Sequence, residues 1–463
     1  MGITWFAHSF TILATGFLLL ISCSLDPLPQ QEISEAQELP FLGETSWIRS
    51  FGGSGEDSFH SVINTSDGGF AALGSSSSTD GDLQGKELAV SDYWLVKFSP
   101  LGEIEWSKTY GGSKDDRGQA VIRTADGGYA ITGYAMSDDG DGSNNEGFHD
   151  NWIIKVDEKG TLQWEKSFGF AGHDHSYDII QTADGGFFFV GFLDVTAANG
   201  EGNSVKFNNL TRHGVGEFWG TKIDSNGELQ WRRYFGGTNN DRAHAVVESH
   251  SGGYIMAGFA ESNDFDISNT RGSYDFWVVK VSVTGELLWE HSYGGAGIEI
   301  AYDIARTKDQ AYVVVGNTFS SDTDVSENHG ESDVWMIKIN DDGELLWEAT
   351  FGGSEFDAAQ GVSVGSDGAY IISGNSRSTD GDATGNNGEN DLWLLKVNTE
   401  GDLLWEEHYG GTGLDLGFMA LETSDRDLLM VGETGSTDFG PLLPKGDKDA
   451  LVIRVASGRR YRN

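Results

Sequence analysis

The chain has 463 residues, and its 72 acidic residues outnumber the 30 basic ones, which gives a formal net charge of −42 at pH 7. This charge repels phosphate backbones and anionic membrane surfaces, so it excludes nucleic acid as a partner. With 65 glycines, only 6 prolines and 12% aromatic residues, the composition excludes collagen-like and proline-rich chains and favours short strands joined by tight turns.

The first segment of the chain is predicted to be an export signal. Residues 1–22 contain no Asp, Glu, Lys or Arg, and their apolar run has the length of a signal peptide rather than of a membrane-spanning helix. The run ends in Leu-Ile-Ser followed by Cys23, the only cysteine. This ending resembles the lipobox of bacterial lipoproteins, and the resemblance implies cleavage before Cys23 and acylation of Cys23, for example with palmitate. The alternative is an ordinary secretory signal with an incidental cysteine.

Both interpretations export the protein. The lipobox interpretation predicts a location in the bacterial cell envelope, on the outer membrane, with a lipid anchor as the only attachment to the membrane. Residues 23–44 are acidic and contain prolines, so we predict that they form a tether between the anchor and the folded domain.

The rest of the chain consists of seven copies of one repeat. Each copy has an aromatic-Gly-Gly step, which is Phe-Gly-Phe in the third copy, and an acid six positions after the aromatic residue. Two apolar stretches around a tight turn, a long polar loop and an Asp-x-Trp-x-x-Lys segment or a variant of it follow. Four strands in a repeat of 58 to 67 residues are typical of a propeller blade. The aromatic residues that open the repeats are Phe51, Tyr110, Phe168, Phe235, Tyr293, Phe351 and Tyr409.

The two ends of the repeated region complement each other. Trp47 lies in a fourth-strand sequence before the first full repeat, whereas the last repeat stops after its third strand, near Arg454. We therefore predict an all-β fold, a seven-bladed β-propeller over residues 45–456 with four strands per blade. The N-terminal strand completes the last blade, which hides the sheet edges of the ring, and residues 457–463 form a tail.

Each repeat starts its innermost strand with an acid and carries one cation on its third strand. A structural network of ion pairs or caps within and between blades accounts for this repetition. The alternative is an acidic ring at the channel mouth that attracts a cation. We predict no catalytic residues here, because a catalytic site needs unlike groups at one point. The acids, called ring acids below, are Asp57, Asp116, Asp174, Asp241, Glu299, Asp357 and Asp415. The cations are Lys97, Lys155, Lys222, Lys280, Lys338, Lys396 and Arg454.

The long loops of five blades contain the pattern Ser-x-Asp-x-Asp. Alternating carboxylates in a Gly- and Asn-rich loop offer hard oxygen ligands for Ca²⁺. The alternative is a set of solvated turn residues that cap the loops. The aspartates of this pattern, called loop aspartates below, are Asp80, Asp82, Asp139, Asp141, Asp264, Asp266, Asp322, Asp324, Asp380 and Asp382.

The third repeat departs from the pattern. It is the longest, and its loop has no Asp pair but carries Lys206, Arg212 and His213. It also contains His173 and His175 on either side of its ring acid. A His-x-His pair suits Zn²⁺ or acid–base chemistry, whereas the alternative is a pair of surface histidines. We favour a partner-binding site at this loop over a metal enzyme.

The repeat as a whole resembles those of propeller lipoproteins from Bacteroidota, a family that implies an architecture and no particular activity. The turn at residues 157–160, followed by Trp164, also resembles the tryptophan-docking motif of quinoprotein propellers. Those proteins mostly have eight blades and bind a quinone beside Ca²⁺. Seven blades and a shorter turn argue against the quinone here, so this second resemblance implies shared architecture only.

These observations predict a non-enzymatic binding or scaffold module. We expect it to be a monomer that binds a protein or glycan on its loop-bearing face, with no required cofactor and with Ca²⁺ as an assisting ion. The alternative function is a polysaccharide hydrolase or lyase outside the cytoplasm. Unlike polar residues clustered in the channel would favour the enzyme, and seven similar loop ends would favour binding.

Overall fold

Seven four-stranded antiparallel sheets form the fold, which confirms the predicted seven-bladed propeller. This computed structural model describes residues 41, 43–83, 85–194, 216–440 and 442–458. The predicted signal peptide, Cys23, most of the predicted tether, and Lys206, Arg212 and His213 lie outside the described residues. Among the described residues, no helix is long and apolar enough to cross a membrane.

Each blade contains four strands, counted outward from the central channel. The innermost strands are β2 (Asp57–Asn64), β6 (Asp116–Arg123), β10 (His175–Gln181), β14 (Asp241–Glu248), β18 (Glu299–Arg306), β22 (Asp357–Val364) and β26 (Asp415–Glu422). The second strands are β3 (Phe70–Ser76), β7 (Tyr129–Ala135), β11 (Phe187–Asp194), β15 (Tyr254–Ala260), β19 (Tyr312–Thr318), β23 (Tyr370–Ser376) and β27 (Leu428–Thr434). The third strands are β4 (Asp92–Phe98), β8 (Asp150–Val156), β12 (Gly216–Ile223), β16 (Asp275–Val281), β20 (Asp333–Ile339), β24 (Asp391–Val397) and β28 (Asp449–Ala456). The outermost strands are β5 (Ile104–Tyr110), β9 (Leu162–Phe168), β13 (Leu229–Phe235), β17 (Leu287–Tyr293), β21 (Leu345–Phe351), β25 (Leu403–Tyr409) and β1 (Glu44–Phe51).

The ring closes through its two ends. Strand β1 pairs antiparallel with β28, and Trp47 lies opposite Arg454. The seventh blade therefore takes its outermost strand from the start of the chain and its other three from the end, as the unpaired repeat ends predict. This pairing covers the edge of β28, which would otherwise present free backbone groups to solvent.

The core lies between the blades. Six third strands carry a tryptophan that is almost fully buried, and each core cluster joins side chains of two neighbouring blades. Several of these indoles donate a hydrogen bond to a carboxylate of the outermost strand, as Trp335 does to Glu348 at 3.0 Å. Large aromatic rings supply most of the buried area in such layers. The buried tryptophans are Trp94, Trp152, Trp219, Trp277, Trp335 and Trp393.

The chain reverses at each strand end, so the propeller has two different faces. The loop face carries the long loops between second and third strands and the aromatic-Gly-Gly connections between blades. The turn face carries the two short turns of each blade. Each innermost strand starts at the loop face, and in all seven the pairing register shifts at the third residue after the ring acid, which forms a β-bulge.

The bulged residues form a belt around the channel. The ring of His244 contacts those of Tyr177 and Tyr302 on the two neighbouring blades, each with centroids 5.2 Å apart, and His60 contacts Phe418 at 4.6 Å. The belt residues differ from blade to blade, so the channel is not sevenfold symmetric. They are His60, Gln119, Tyr177, His244, Tyr302, Gln360 and Phe418.

Two partly buried acids next to this belt predict a pH-dependent stability. Asp178 accepts a hydrogen bond from the N–H of Val246, and Asp303 accepts one from Val362, so each links two blades. Burial raises the pKa of Asp178 to about 7 and that of Asp303 to about 8, and the charge of Asp178 adds to the rise at Asp303. A raised native pKa means that the folded state holds the proton more tightly, so this contribution to stability decreases as pH rises from about 4 to 8.

We therefore expect the stability advantage of the natural chain over the double variant Asp178→Asn/Asp303→Asn to shrink as pH rises. Urea unfolding at pH 5, 6, 7 and 8 measures this difference. Asp342→Asn, an exposed carboxylate, is the control and should give a constant difference. A difference that does not change with pH for the double variant would contradict the prediction.

Candidate metal centre

The ring acids are buried hydrogen-bond acceptors rather than an exposed ring. Each of the seven is at most 1% exposed and accepts the N–H of the residue four positions earlier at 2.7 to 3.0 Å. Asp241 also accepts the N–H of Glu261 at 2.9 Å and both the N–H and the hydroxyl of Ser262. Burial raises the pKa of Asp174 to about 8 and that of Asp241 to about 6, although these hydrogen bonds act to lower it.

This network explains the aromatic-Gly-Gly step. Gly52 has a φ of 132°, and a Cβ there would lie 2.1 Å from the carboxylate of Asp57. A Cβ on Gly53 would lie 2.3 Å from the carboxylate of Asp80. The carboxylates of Asp57 and Asp80 therefore lie so close to the backbone that only glycine fits at positions 52 and 53.

The cations of the third strands lie on the turn face, away from the ring acids. Lys155, for example, pairs with Asp126 of a turn at 2.9 Å, and Lys396 pairs with Asp367 at 2.8 Å. All seven cations form such an ion pair. The ring acids and the cations therefore belong to separate networks, one at each end of the blade.

The loop aspartates fold the long loops over the aromatic-Gly-Gly connections. The first aspartate of each pair accepts a backbone N–H at 2.7 to 2.9 Å, and the second accepts the N–H of the first glycine at 2.9 to 3.4 Å. Asp80 and Asp82, for example, accept from Ser54 and Gly52. In the described part of the chain, none of the ten belongs to a group of three potential metal-ligating side chains. Ca²⁺ binding by these loops stays a prediction.

Three histidines do converge, at the seam between the second and third blades on the loop face. His149 ends the loop before β8, and His173 and His175 flank the ring acid at the start of β10. A parallel β-bridge between His149 and His173 joins the two blades. Among the described residues, these three form the one group of at least three His, Cys, Asp or Glu side chains suited to a metal ion, with ligand atoms within 4.8 Å of one another. We call them the histidine cluster.

The ring nitrogens of the cluster point at one another. Nδ1 of His149 lies 2.9 Å from Nδ1 of His173 and 3.1 Å from Nε2 of His175. A neutral imidazole nitrogen either donates one hydrogen or accepts with one lone pair, so Nδ1 of His149 cannot satisfy both neighbours well. A cation held by all three lone pairs removes this conflict. Nitrogens in a tetrahedral Zn²⁺ site with bonds of about 2.0–2.1 Å are separated by roughly 3.3 Å, close to the two distances from Nδ1 of His149.

The surroundings keep two of the rings neutral. Burial lowers the pKa of His149 to about 4 and that of His175 to about 3, and repulsion between the rings adds to both shifts. The charge of Arg117 contributes to the shift at His149, and that of Arg242 to the shift at His175. Near neutral pH both imidazoles therefore carry the free lone pair that metal binding requires.

Aromatic rings hold the cluster in place. Tyr134 stacks on His175 with centroids 4.0 Å apart, and Phe192 contacts His175 from another side at 4.9 Å. Phe148, which is 57% exposed, covers His173 at 4.8 Å. Two cations flank this arrangement, because Arg117 is paired in register with Tyr134, and the guanidinium of Arg242 lies 4.5 Å from the Phe192 ring.

The sequence pattern identified His173 and His175 but not His149. The repeat nevertheless contains a pattern that predicts the position of His149. The residue before the Asp of Asp-x-Trp in one blade lies beside the residue before the ring acid of the next, as also between Tyr274 and Ile298. When these two positions are compared between the second and third repeats, rather than within one repeat, His149 is predicted to lie next to His173.

No protein-family model and no curated protein matches the chain. Solved propellers resemble it in structure. The WD40 domain of Neurospora crassa Pan2 is 8% identical with a TM-score of 0.46, and the match covers 90% of this chain and 98% of that one. YCF48 bound to D1 peptide is 10% identical with a TM-score of 0.45, covering 90% and 99%. A glucose dehydrogenase is 10% identical with a TM-score of 0.38, covering 89% and 99%. These similarities concern the propeller fold and leave the assignment of the site to its geometry.

Proposed function

We propose that this protein is a binding module of the bacterial cell envelope that holds a divalent transition-metal ion, with Zn²⁺ favoured, in its histidine cluster and binds its partner on the loop face. One observation carries the metal assignment, namely that one ring nitrogen from each of three histidines lies within 4.8 Å of the other two. Three protein ligands leave one coordination position of Zn²⁺ open, which suits a site that binds a further group.

The location in the envelope rests on the sequence of the first 23 residues. Export, acylation of Cys23 and anchoring to the outer membrane are parts of the proposal that the lipobox resemblance supports. A protein or a glycan remains the proposed partner.

We expect Zn²⁺ to bind one equivalent per chain and to stabilise the fold. A ligand that binds only the native state adds about 2.7 kcal/mol at a hundredfold excess over its dissociation constant. The test is calorimetric titration and thermal unfolding of the full chain in detergent, purified without a polyhistidine tag. Co²⁺ gives a second readout, because a tetrahedral site shows characteristic visible absorption bands.

The variants His149→Ala and His173→Ala should each weaken Zn²⁺ binding by about 100-fold or more, since each removes a ligand, and even the loss of a supporting contact costs about 10- to 100-fold. His291→Ala removes a histidine outside the cluster and should leave the affinity unchanged. Equal Zn²⁺ affinity in all three variants would refute the site. A separate titration with Ca²⁺ tests the loop aspartates, whose binding should not depend on His149.

A second candidate function is metal-assisted hydrolysis of a polysaccharide. The observation that favours it is the asymmetry of the channel end, where, among the described residues, one seam brings the three histidines together with Arg117 and Arg242. A metal ion with an open position lowers the pKa of bound water and so supplies a nucleophile. Turnover of a polysaccharide that requires Zn²⁺ and His149 would favour this function over simple binding.

A further inference from the structure

The residues that directly follow the ring acids are polar or charged in blades one to four and apolar in blades five to seven. The residue directly after each ring acid lies on the same side of its strand as the bulged belt residue two positions on, because side chains alternate along a strand. The belt rings contact one another between neighbouring blades. The residues after the ring acids therefore form the next layer of the wall, at the loop-face end of the channel.

This layer divides into two arcs. Blades two to four contribute Arg117, His175 and Arg242, blades five to seven contribute Ile300, the buried Ala358 and Leu416, and blade one contributes Ser58 between the two arcs. The first set, called the cationic arc below, includes the inner ring of the histidine cluster. The second set is called the apolar arc.

The cationic arc stands out against the charge of the whole protein. With a net charge of −42, most of the surface repels an anion. Within the described residues, Arg117 is exposed and makes no ion pair, and the guanidinium of Arg242 rests on an aromatic ring rather than on a carboxylate. A guanidinium in this state is available for a carboxylate, which it recognises through two parallel hydrogen bonds.

We infer that the channel mouth binds a carboxylate attached to an apolar group, with the carboxylate in the cationic arc beside the metal and the apolar group against the apolar arc. This inference rests on the proposed metal centre. The two sources of this chemistry are a free small acid and the C-terminus of a peptide that ends in an apolar residue. A uronate of a glycan offers the carboxylate without the apolar group, so the apolar arc disfavours it.

The test uses the full chain loaded with Zn²⁺ and three small probes. N-acetylleucine carries both features, N-acetylleucinamide lacks the charge, and galacturonate lacks the apolar group. We expect N-acetylleucine to bind at least about tenfold more tightly than either of the other two, a preference worth about 1.4 kcal/mol. Equal binding of N-acetylleucine and its amide, or tighter binding of galacturonate, would overturn the inference.

Variants assign the binding to the cationic arc. Arg117→Gln/Arg242→Gln should weaken N-acetylleucine binding at least about tenfold. The Zn²⁺ affinity should not fall in this variant, because the change removes two positive charges beside the histidine cluster and keeps all three ligands. The matched control is Arg123→Gln/Arg306→Gln, which removes two arginines from the turn-face ends of β6 and β18 and should have no effect. An unchanged affinity for N-acetylleucine in the first variant would place the ligand elsewhere.

Two further comparisons distinguish failure of the metal centre from failure of this inference, and a peptide C-terminus from a free small acid. If Zn²⁺ does not bind, both this inference and the proposed metal centre fail, whereas Zn²⁺ binding without N-acetylleucine binding removes only this inference. A short peptide with a free C-terminal leucine identifies the source. Tighter binding than N-acetylleucine indicates a peptide C-terminus, and equal binding indicates a free small acid.

Discussion

Deletion of residues 44–51, which form β1, is expected to abolish cooperative folding of the propeller. The deletion removes every backbone partner of the outer edge of β28, a strand that is buried for most of its length. It also removes Phe51 and Trp47 from the core cluster between the first and seventh blades. Loss of one buried aromatic side chain costs about 3–5 kcal/mol, and the total stability of a folded domain is about 5–15 kcal/mol.

Thermal unfolding followed by circular dichroism, together with size-exclusion chromatography, measures the outcome. The deletion variant should show a broad or missing transition and should aggregate through its open edge. Arg49→Ala is the matched control within β1, because it keeps every backbone partner of β28. It removes a partly exposed ion pair with Glu103, a hydrogen bond to the carbonyl of Gly102 and a contact with the Trp47 ring, each worth about 1 kcal/mol. A deletion variant that unfolds as sharply and at the same temperature as the natural chain would show that β1 does not close the ring.

The closure of the ring by β1 could be predicted because it follows from counting the strands in each repeat. Trp47 is a fourth-strand tryptophan without a repeat of its own, and the last repeat lacks a fourth strand, so the two ends fit one blade. The number of blades follows in the same way from the aromatic-Gly-Gly steps. Such features depend on the order of residues along the chain, which a repeat displays directly.

The sequence pattern left open whether the ring acids pair with the cations of the third strands, although the length of a strand is enough to decide it. Asp391 and Lys396 belong to the third strand of one blade, which starts at the loop face. Five residues of extended chain cover about 17 Å, so the lysine reaches the turn face while the ring acid Asp357 stays at the loop face. The cations therefore cannot neutralise the ring acids, and backbone N–H groups and hydroxyls take that role.

The histidine cluster was only partly predictable, for a different physical reason. His149 and His173 are joined across two blades, and contacts of this kind do not follow from the pattern within one repeat. The orientation of the rings depends further on Tyr134 and Phe192, which come from two more strands. The direction of side chains at the contact between two blades therefore could not be predicted from the sequence and is seen only in the structure.

Replacement of the ring acid Asp241 by alanine is expected to have the largest effect of any single substitution among the acids. The change leaves three buried donors without an acceptor, namely the N–H of Gly237 and both the N–H and hydroxyl of Ser262. It also removes one of the two acceptors of the Glu261 N–H, which keeps the carbonyl of Asn240. Each unsatisfied buried donor costs about 1–3 kcal/mol, and entry of water recovers part of the loss, so we expect about 3–5 kcal/mol in total.

Urea unfolding of three variants tests whether hydrogen bonding is the cause. Asp241→Asn keeps one carbonyl oxygen as an acceptor and should cost less than Asp241→Ala, whereas the exposed Asp342→Ala should change the stability by less than about 0.5 kcal/mol. If the ring acids instead served an external cation, Asp241→Ala would relieve the repulsion of buried charge and stabilise the protein when no ion is added. A loss of several kcal/mol in the free energy of unfolding, measured in metal-free buffer, would thus show that the carboxylate stabilises the blade and does not serve to bind an external cation.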